Sequence, residues 1–399
     1  MTSVDRWILP EGVDELLPQK AAAAERLRRD ILDLFSVWGY QLIIPPLIEF
    51  TDSLLIGLGK DIDLQSFRLT DQLSGKPMAV RADITPQAAR IDAHSLRAEG
   101  VNRLCYAGSV LHTRPKSQLA SRCPIQVGAE LYGDVSDAAD SEVICLMLQT
   151  VQLAMSSCAA DDSPSLTLDL GHVAIYSGLS QAVMAANPSL EADDLAALFD
   201  AVQRKSLPDL KVLLPSLIDD PALAETIYQL PSLCGDISVL STARTVLQEL
   251  GSDVSAAIDQ LERVAGVISR RFDGLAIYFD LAELRGYEYH TGLVFAAYTD
   301  GCGSALANGG RYDHIGEVFG AARPATGFNV DLKALLDYFP VVAASECSPI
   351  LAPDNGDAAL WQFVCTLREA GQTVVFCAPE AIESDARQLI ERDGEWRVE

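Results

Sequence analysis

Between Gln19 and Trp38 apolar residues return at Leu27, Ile31, Leu34 and Phe35, a spacing that predicts a helix with one buried face, ended by Gly39. A turn-rich lead-in, Trp7 to Pro18, precedes it. The period then changes: Tyr40 to Phe50 is a β-rich run broken by Pro45 and Pro46, the mark of an edge or a bulge, and edges are where chains dimerise. Phe67–Leu73 and Met78–Arg81 predict two strands across a Ser74-Gly75-Lys76-Pro77 turn. Leu104–Leu111 and Ile125–Tyr132, joined by a polar, proline-broken loop, predict an antiparallel hairpin. Ser141–Met155 reads as a helix, and Ser165–Leu170 as a strand running into Gly171-His172. From Ile175 to about Glu249 there is no strand-like alternation, and Pro188 to about Gly266 is expected to be a helical insertion. Strands resume at Leu275–Leu281, Glu288–Tyr298 and Gly327–Val330, the last followed by the helix-like LKALLDYF. Ser348 to Glu399 alternates strand, helix, strand, helix, with ESDARQLIERD as the final helix, which predicts parallel pairing. The expected fold class is α+β, an antiparallel sheet flanked by helices, with domains at 1–340 and 341–399.

The chain has 399 residues, 49% hydrophobic and 22% charged, with a formal charge of −26. That charge repels phosphate backbones, and the densest basic run is only Arg26, Arg28 and Arg29. No nucleic-acid partner is expected. Nine cysteines form no CxxC pair and total an odd number, which argues for a reducing cytoplasm and against zinc. No stretch approaches the length of a membrane span, and the N-terminus carries no apolar signal core.

Candidate chemistry gathers in three places. By the period of two, Gln126, Gly128 and Glu130 share one strand face, while Val127, Ala129 and Leu131 share the other. An amide, a bare backbone and a carboxylate in a row make either a solvated edge or the floor of a polar ligand site. In VRADITP, Arg81 and Asp83 share a face, and Thr85 is expected to cap a helix with Pro86 at its first position. In LAELRGYEYHTGLVF, residues Arg285, Tyr287, Tyr289 and Thr291 alternate on one face beside Gly286 and Gly292, and Asn308-Gly309-Gly310 is expected to turn tightly before Arg311 and Tyr312. A free amino acid suits this set: its ammonium wants Asp83, Thr85 and Gln126, and its carboxylate wants the Arg285 fork. A two-nitrogen ring would bond Glu130 and a Tyr or His. An ordinary Arg285–Asp83 ion pair fits the spacing equally.

The stretches GYQLIIPPLIE, VRADITP, CYAGSVLHTRP…IQVGAELYG, RGYEYHTGLVF, GGRYD and PATGFNVDLKALL together resemble the class II aminoacyl-tRNA synthetase core, specifically that of histidyl-tRNA synthetases, over roughly residues 1 to 340. The resemblance implies that fold, self-association as a dimer, and a histidine pocket. Asp83 (a Glu in most synthetases), Thr85 and Gln126 would meet the amino group, Arg285 the carboxylate, and Glu130 with Tyr289 and His290 the imidazole. Tyr106, Gly128 and Tyr312 would line it. His290 stands where the synthetases carry a Tyr.

The departures fall on ATP. His112 replaces the motif 2 arginine, Pro124 the aromatic under adenine, and Ala334 the motif 3 arginine; Arg114, two residues on from His112, is a conceivable substitute for the first. Each lost transition-state donor costs about 10²–10³ in rate. Only about sixty residues remain where the synthetases carry an anticodon-binding domain, about 100 residues being a common domain size. The chain is therefore similar to the regulatory subunits of ATP phosphoribosyltransferase, which have no catalysis of their own. In that family the partner is the short-form catalytic subunit, the complex is a hetero-octamer in the first step of histidine biosynthesis, and histidine is an allosteric ligand, with no cofactor or metal. The alternatives are an active histidyl-tRNA synthetase and a synthetase-like paralogue sensing another amino acid.

Overall fold

The computed structural model describes residues 7–54, 64–97, 99–115, 120–156, 165–283, 289–320, 322–340, 348–378 and 387–399. The chain divides into two compact units, Met1–Val341 and Val342–Glu399.

The larger unit begins with α1, Pro18–Val37, whose Ala24, Leu27, Ile31 and Phe35 are buried. Fully burying Leu27, Ile31 or Phe35 contributes about 1.5–3 kcal/mol each. The helix ends because Gly39 takes a φ of 83°, which lets the Tyr40 amide reach back to the Phe35 carbonyl at 3.0 Å; the Tyr40 and Phe35 rings close the motif at 6.5 Å.

Nine strands among the described residues form one sheet: β1 (Gln41–Leu42), β5 (Asn102–Ser109), β6 (Ile125–Tyr132), β12 (Ala325–Asp331), β11 (Ala307–Arg311), β10 (Leu293–Thr299), β7 (Leu166–His172), β9 (Ala276–Asp280) and β8 (Cys234–Gly235), in that spatial order. The six central strands, β5 to β7, pair antiparallel. Parallel pairs occur only at the flanks, β1 on β5 and β9 on β7. A three-stranded antiparallel sheet, β2 (Ile48–Phe50), β4 (Pro77–Val80) and β3 (Arg68–Thr70), stands apart. This is the expected α+β architecture with a mixed margin.

One face of the large sheet is dry. Val127, Ala129, Leu131, Phe328, Val330, Leu168 and Leu170 bury themselves under α1, α3 (Asp137–Ser156) and α9 (Ser252–Arg271). The other face carries the polar set, roofed in part by α2 (Thr85–Arg90). Helices α4 (Val173–Ala186), α5 (Ala192–Gln203), α6 (Leu207–Leu217), α7 (Pro221–Gln229) and α8 (Ser238–Val246) make up the helical stretch. Two details depart from expectation. β8 interrupts the stretch by pairing with β9, and α9 runs on to Arg271. Its Val254, Ala257, Ile258, Leu261, Val264, Ala265 and Ile268 belong to the core, so α9 is part of the sheet's covering layer.

Asn308-Gly309-Gly310 is a strand, not a turn: it lies inside β11, with Gly310 opposite Gly327 and Val294. The glycines answer to crowding across the sheet. A β-carbon on Gly310 would sit 2.6 Å from the His290 ring, and one on Gly309 would overlap Phe295.

In the small unit, β13 (Ile350–Pro353) and β14 (Val374–Cys377) pair in parallel around α11 (Ala358–Glu369); α10 (Leu332–Tyr338) closes the larger unit. The expected last helix is absent at its C-terminal half. Leu389–Arg392 and Glu395–Val398 are antiparallel strands β15 and β16, because Asp393 and Gly394 both take positive φ, 52° and 79°, as a tight two-residue hairpin turn requires. Among the described cysteines in apolar runs, Cys145 is buried, while Cys365 and Cys377 are half-buried.

Candidate functional site

The alternation of β6 delivers Gln126, Gly128 and Glu130 to the open face of the sheet, and the register with β5 sets Tyr106 directly opposite Gly128. The phenol lies over the bare backbone: a β-carbon on Gly128 would approach the Tyr106 hydroxyl to 2.5 Å. From there Tyr106 donates to Glu130 Oε1 at 2.9 Å and pairs with the Thr85 hydroxyl at 3.1 Å. Tyr312, from the turn after β11, donates to Glu130 Oε2. Glu130 itself is buried, above Gly327 of β12, where a β-carbon would overlap its carboxylate. Burial pushes this carboxyl up to about 8, against the pull of the Tyr312 and Tyr106 hydroxyls. Burial, reinforced by the Glu130 charge, also drives the Tyr312 phenol well above its ordinary range.

Two further side chains close one wall. Tyr289 stacks on Tyr312 with centroids 5.1 Å apart and planes 21° from parallel, and meets the His290 ring edge-on at 5.1 Å. The His290 ring lies over Gly310, the neighbour of Gly327 across the ladder, so His290 and Glu130 stand above adjacent glycines. Beyond His290 a small cleft of about 50 Å³ is lined by Asp169, Gly171, Glu283, Val294 and Asn308.

The opposite wall is the start of α2. Asp83 Oδ1 accepts from Gln126 Nε2 at 2.9 Å and from the Thr85 amide at 2.9 Å, while Gln126 Oε1 accepts from the Ile84 amide at 2.8 Å. Asp83 therefore takes the capping role expected of Thr85, whose hydroxyl goes to Tyr106 instead. Arg81 does not face the site with Asp83: its guanidinium donates to the carbonyls of Ser109 at 2.9 Å and Pro45 at 2.9 Å, in space that Gly108 leaves open. Behind this wall Glu49 holds Gln87 at 2.7 Å and Arg90 at 2.6 Å.

Asp83, Thr85, Tyr106, Gln126, Gly128, Glu130, Tyr289, His290 and Tyr312 thus converge on one patch of sheet. Arg285, together with Gly286 and Tyr287, lies outside the described residues. The sequence reading missed Gly327, whose bareness makes room for Glu130, and Gly310. Their register opposite Glu130 and beside His290 would have been the signal, and it is visible only once strand pairing is known.

Of the positions expected to have served ATP, His112 and Pro124 lie at the end of the hairpin. The His112 ring is buried, with Nε2 2.9 Å from the Ala82 carbonyl. The Pro124 carbonyl accepts from the Val110 amide at 3.1 Å, continuing the ladder. Ala334 follows Lys333 in α10, and Lys333 Nζ lies 3.1 Å from the Asp14 carboxylate of the N-terminal lead-in. Arg114 is exposed. Arg122 donates to the carbonyls of His112 at 3.0 Å and Glu11 at 2.9 Å, tying that lead-in to the hairpin.

A sequence profile described as Histidyl-tRNA synthetase matches residues 12–335, and one described as ATP phosphoribosyltransferase subunit HisZ C-terminal domain matches residues 347–399. The chain is 49% identical over 405 residues to an ATP phosphoribosyltransferase regulatory subunit of Ectopseudomonas mendocina, covering 100% of this chain and 99% of that one. It is 50% identical over 404 residues to a regulatory subunit of the same description from Pseudomonas putida, at the same coverage. The chain belongs to the ATP phosphoribosyltransferase regulatory subunit family. Its fold is shared by a Bacillus halodurans protein described as an ATP phosphoribosyltransferase regulatory subunit/histidyl-tRNA synthetase, with a TM-score of 0.81 and 24% identity over 96% of each chain. A Nostoc histidyl-tRNA synthetase follows at 0.74 and 18%, over 96% of this chain and 91% of that one. Family membership extends through the small unit, which the second profile spans, and no described helix is long and apolar enough to cross a membrane.

Proposed function

We propose that this chain is the non-catalytic regulatory subunit of a short-form ATP phosphoribosyltransferase and that the patch around Glu130 binds histidine, the end product of the pathway that enzyme begins. Identity of about half the residues from end to end carries the first part. The observation that carries the second is Glu130: a buried carboxyl held by two phenols, beside His290, offers hydrogen bonds to a two-nitrogen ring in either of its protonation states. Asp83 and Gln126 then receive the ammonium, and Arg285 the carboxylate.

The same reading makes the chain inert toward ATP. His112 turned to a backbone carbonyl, Pro124 in the ladder and Ala334 leave no cation or ring of the kind adenylation requires at those three positions. Histidine regulates by binding two arrangements of the complex unequally, and a coupling of about 1–3 kcal/mol is typical of such systems. The complex is a cytoplasmic hetero-octamer in which this chain is dimeric, and neither nucleic acid nor membrane takes part.

Co-expression with a short-form catalytic subunit tests this. The expected result is phosphoribosyltransferase activity above that of either protein alone, suppressed by histidine. Arg285→Ala is expected to keep the activation and lose the suppression. Histidine-driven exchange of pyrophosphate into ATP by the isolated chain would instead establish a synthetase, and calorimetric preference for another amino acid would establish a different sensor.

A further inference from the structure

At the end of β11, Arg311 and the residue that follows it, Tyr312, point to opposite sides of the sheet. Tyr312 reaches Glu130, and Arg311 reaches into the helical layer, where it is buried against Asp140 of α3. Its Nε donates to Asp140 Oδ2 at 3.2 Å and its Nη2 lies 2.9 Å from Oδ1, the two side chains being 7% and 0% exposed. Gln260 of α9 adds a bond to Asp140 Oδ2 at 3.3 Å, and its own carbonyl oxygen meets His172 Nε2 at 3.0 Å. A buried ion pair is poor evidence of net stabilisation, because desolvating both charges offsets their attraction. Its geometry is more informative. Arg311 also holds Asp313 at 3.2 Å, and the Asp313 amide donates to the Thr291 hydroxyl at 3.0 Å. The Thr291 amide donates to the Arg311 carbonyl at 2.7 Å, and the Arg311 stem fills the space above Gly292. Arg311 thus touches both segments that flank the pocket wall: its backbone carbonyl and stem meet Thr291 and Gly292 next to Tyr289–His290, and its guanidinium holds Asp313 next to Tyr312.

We propose that Asp140 and Arg311 are positioning residues for the histidine site, acting from behind the sheet by fixing Tyr312 against Glu130 and the Tyr289–His290 wall beside it. This rests on the reading of the pocket as a histidine site. Neither side chain touches the pocket; the proposed route runs through Tyr312, and a double-mutant cycle isolates it from the route through Thr291 and the Tyr289–His290 wall.

Calorimetric titration of the full chain with histidine is the test, on Asp140→Asn, Asp140→Glu, Tyr312→Phe and the Asp140→Asn/Tyr312→Phe pair. Asp140→Asn is expected to weaken binding roughly ten-fold, within the coupling range of residues sharing a network, and Asp140→Glu to recover most of it. In the Tyr312→Phe background the same substitution should change affinity less than about two-fold. Equal losses in both backgrounds, or wild-type affinity in Asp140→Asn, would overturn the proposal. If Asp140→Asn does not fold, Arg311→Lys, which keeps the charge and loses the fork, carries the same cycle. Absence of histidine binding in the wild type would overturn the pocket reading itself, and with it this inference.

Discussion

Glu130 sits where its charged form is costly, and that cost has a direction in pH. Its carboxyl is ordinarily at 4.5 and stands at about 8 in the fold, so between those values the native chain holds a proton that the unfolded chain has released. The stabilising contribution is fully present below about 4.5 and is lost as pH rises through about 8. Glu130→Gln, which cannot ionise, is expected to remove this slope, with the two proteins diverging by on the order of a few kcal/mol across the window. Urea melts from pH 5 to 9 check it; parallel curves for the two proteins would show that Glu130 is charged throughout. Gly327→Ala makes the complementary point. Its β-carbon must displace the carboxylate, so histidine binding should fall by at least ten-fold, with a loss of stability typical of overpacking, about 1–3 kcal/mol, measured by calorimetry and thermal melts.

At the scale of elements, what the sequence made legible were the features whose signal is local. The alternation of β6 named the two faces correctly, and Gly39 marked the end of α1. The failures share a cause: a residue chosen for a distant partner looks locally like something else. Asn308-Gly309-Gly310 has the composition of a turn, yet its glycines are bare because His290 and Phe295 cross them. Thr85 looks like a cap, yet Tyr106, 21 residues away, claims its hydroxyl. Asp393-Gly394 is the exception, a local hairpin signal outweighed by the helical look of the residues before it. In the small unit one side chain joins two elements. Asp357 caps α11 through the amides of Ala359 at 2.9 Å and Leu360 at 3.3 Å, and accepts from the Trp396 indole of β16 at 2.8 Å. Asp357→Ala is expected to lower the melting temperature of this unit and to red-shift its tryptophan emission as Trp396 loosens; unchanged emission and melting would show that the bond is idle.

For the whole molecule the decisive quantity is a charge of −26, which sets copies of the chain to repel one another. The proposed self-association therefore needs a patch that excludes charge. The stretch from Gln41 to Phe50 is such a patch: Leu42, Ile44, Leu47, Ile48 and Phe50 are all exposed, Ile44 to 86%. Its one acid, Glu49, is turned inward to Gln87 and Arg90. β1 is also the edge of the nine-stranded sheet, where unpaired backbone groups offer further contacts to a second copy. Apolar patches of this kind mark association surfaces when contiguous. Ile44→Asp with Leu47→Asp is expected to give a folded monomer, because exposed side chains carry little of the core. Light scattering at low ionic strength and at about 0.15 M salt checks it, screening to about 8 Å at the higher value weakening the repulsion between copies. The wild type should be dimeric in both and firmer in the higher salt, and a variant that remains dimeric would place the interface on another face.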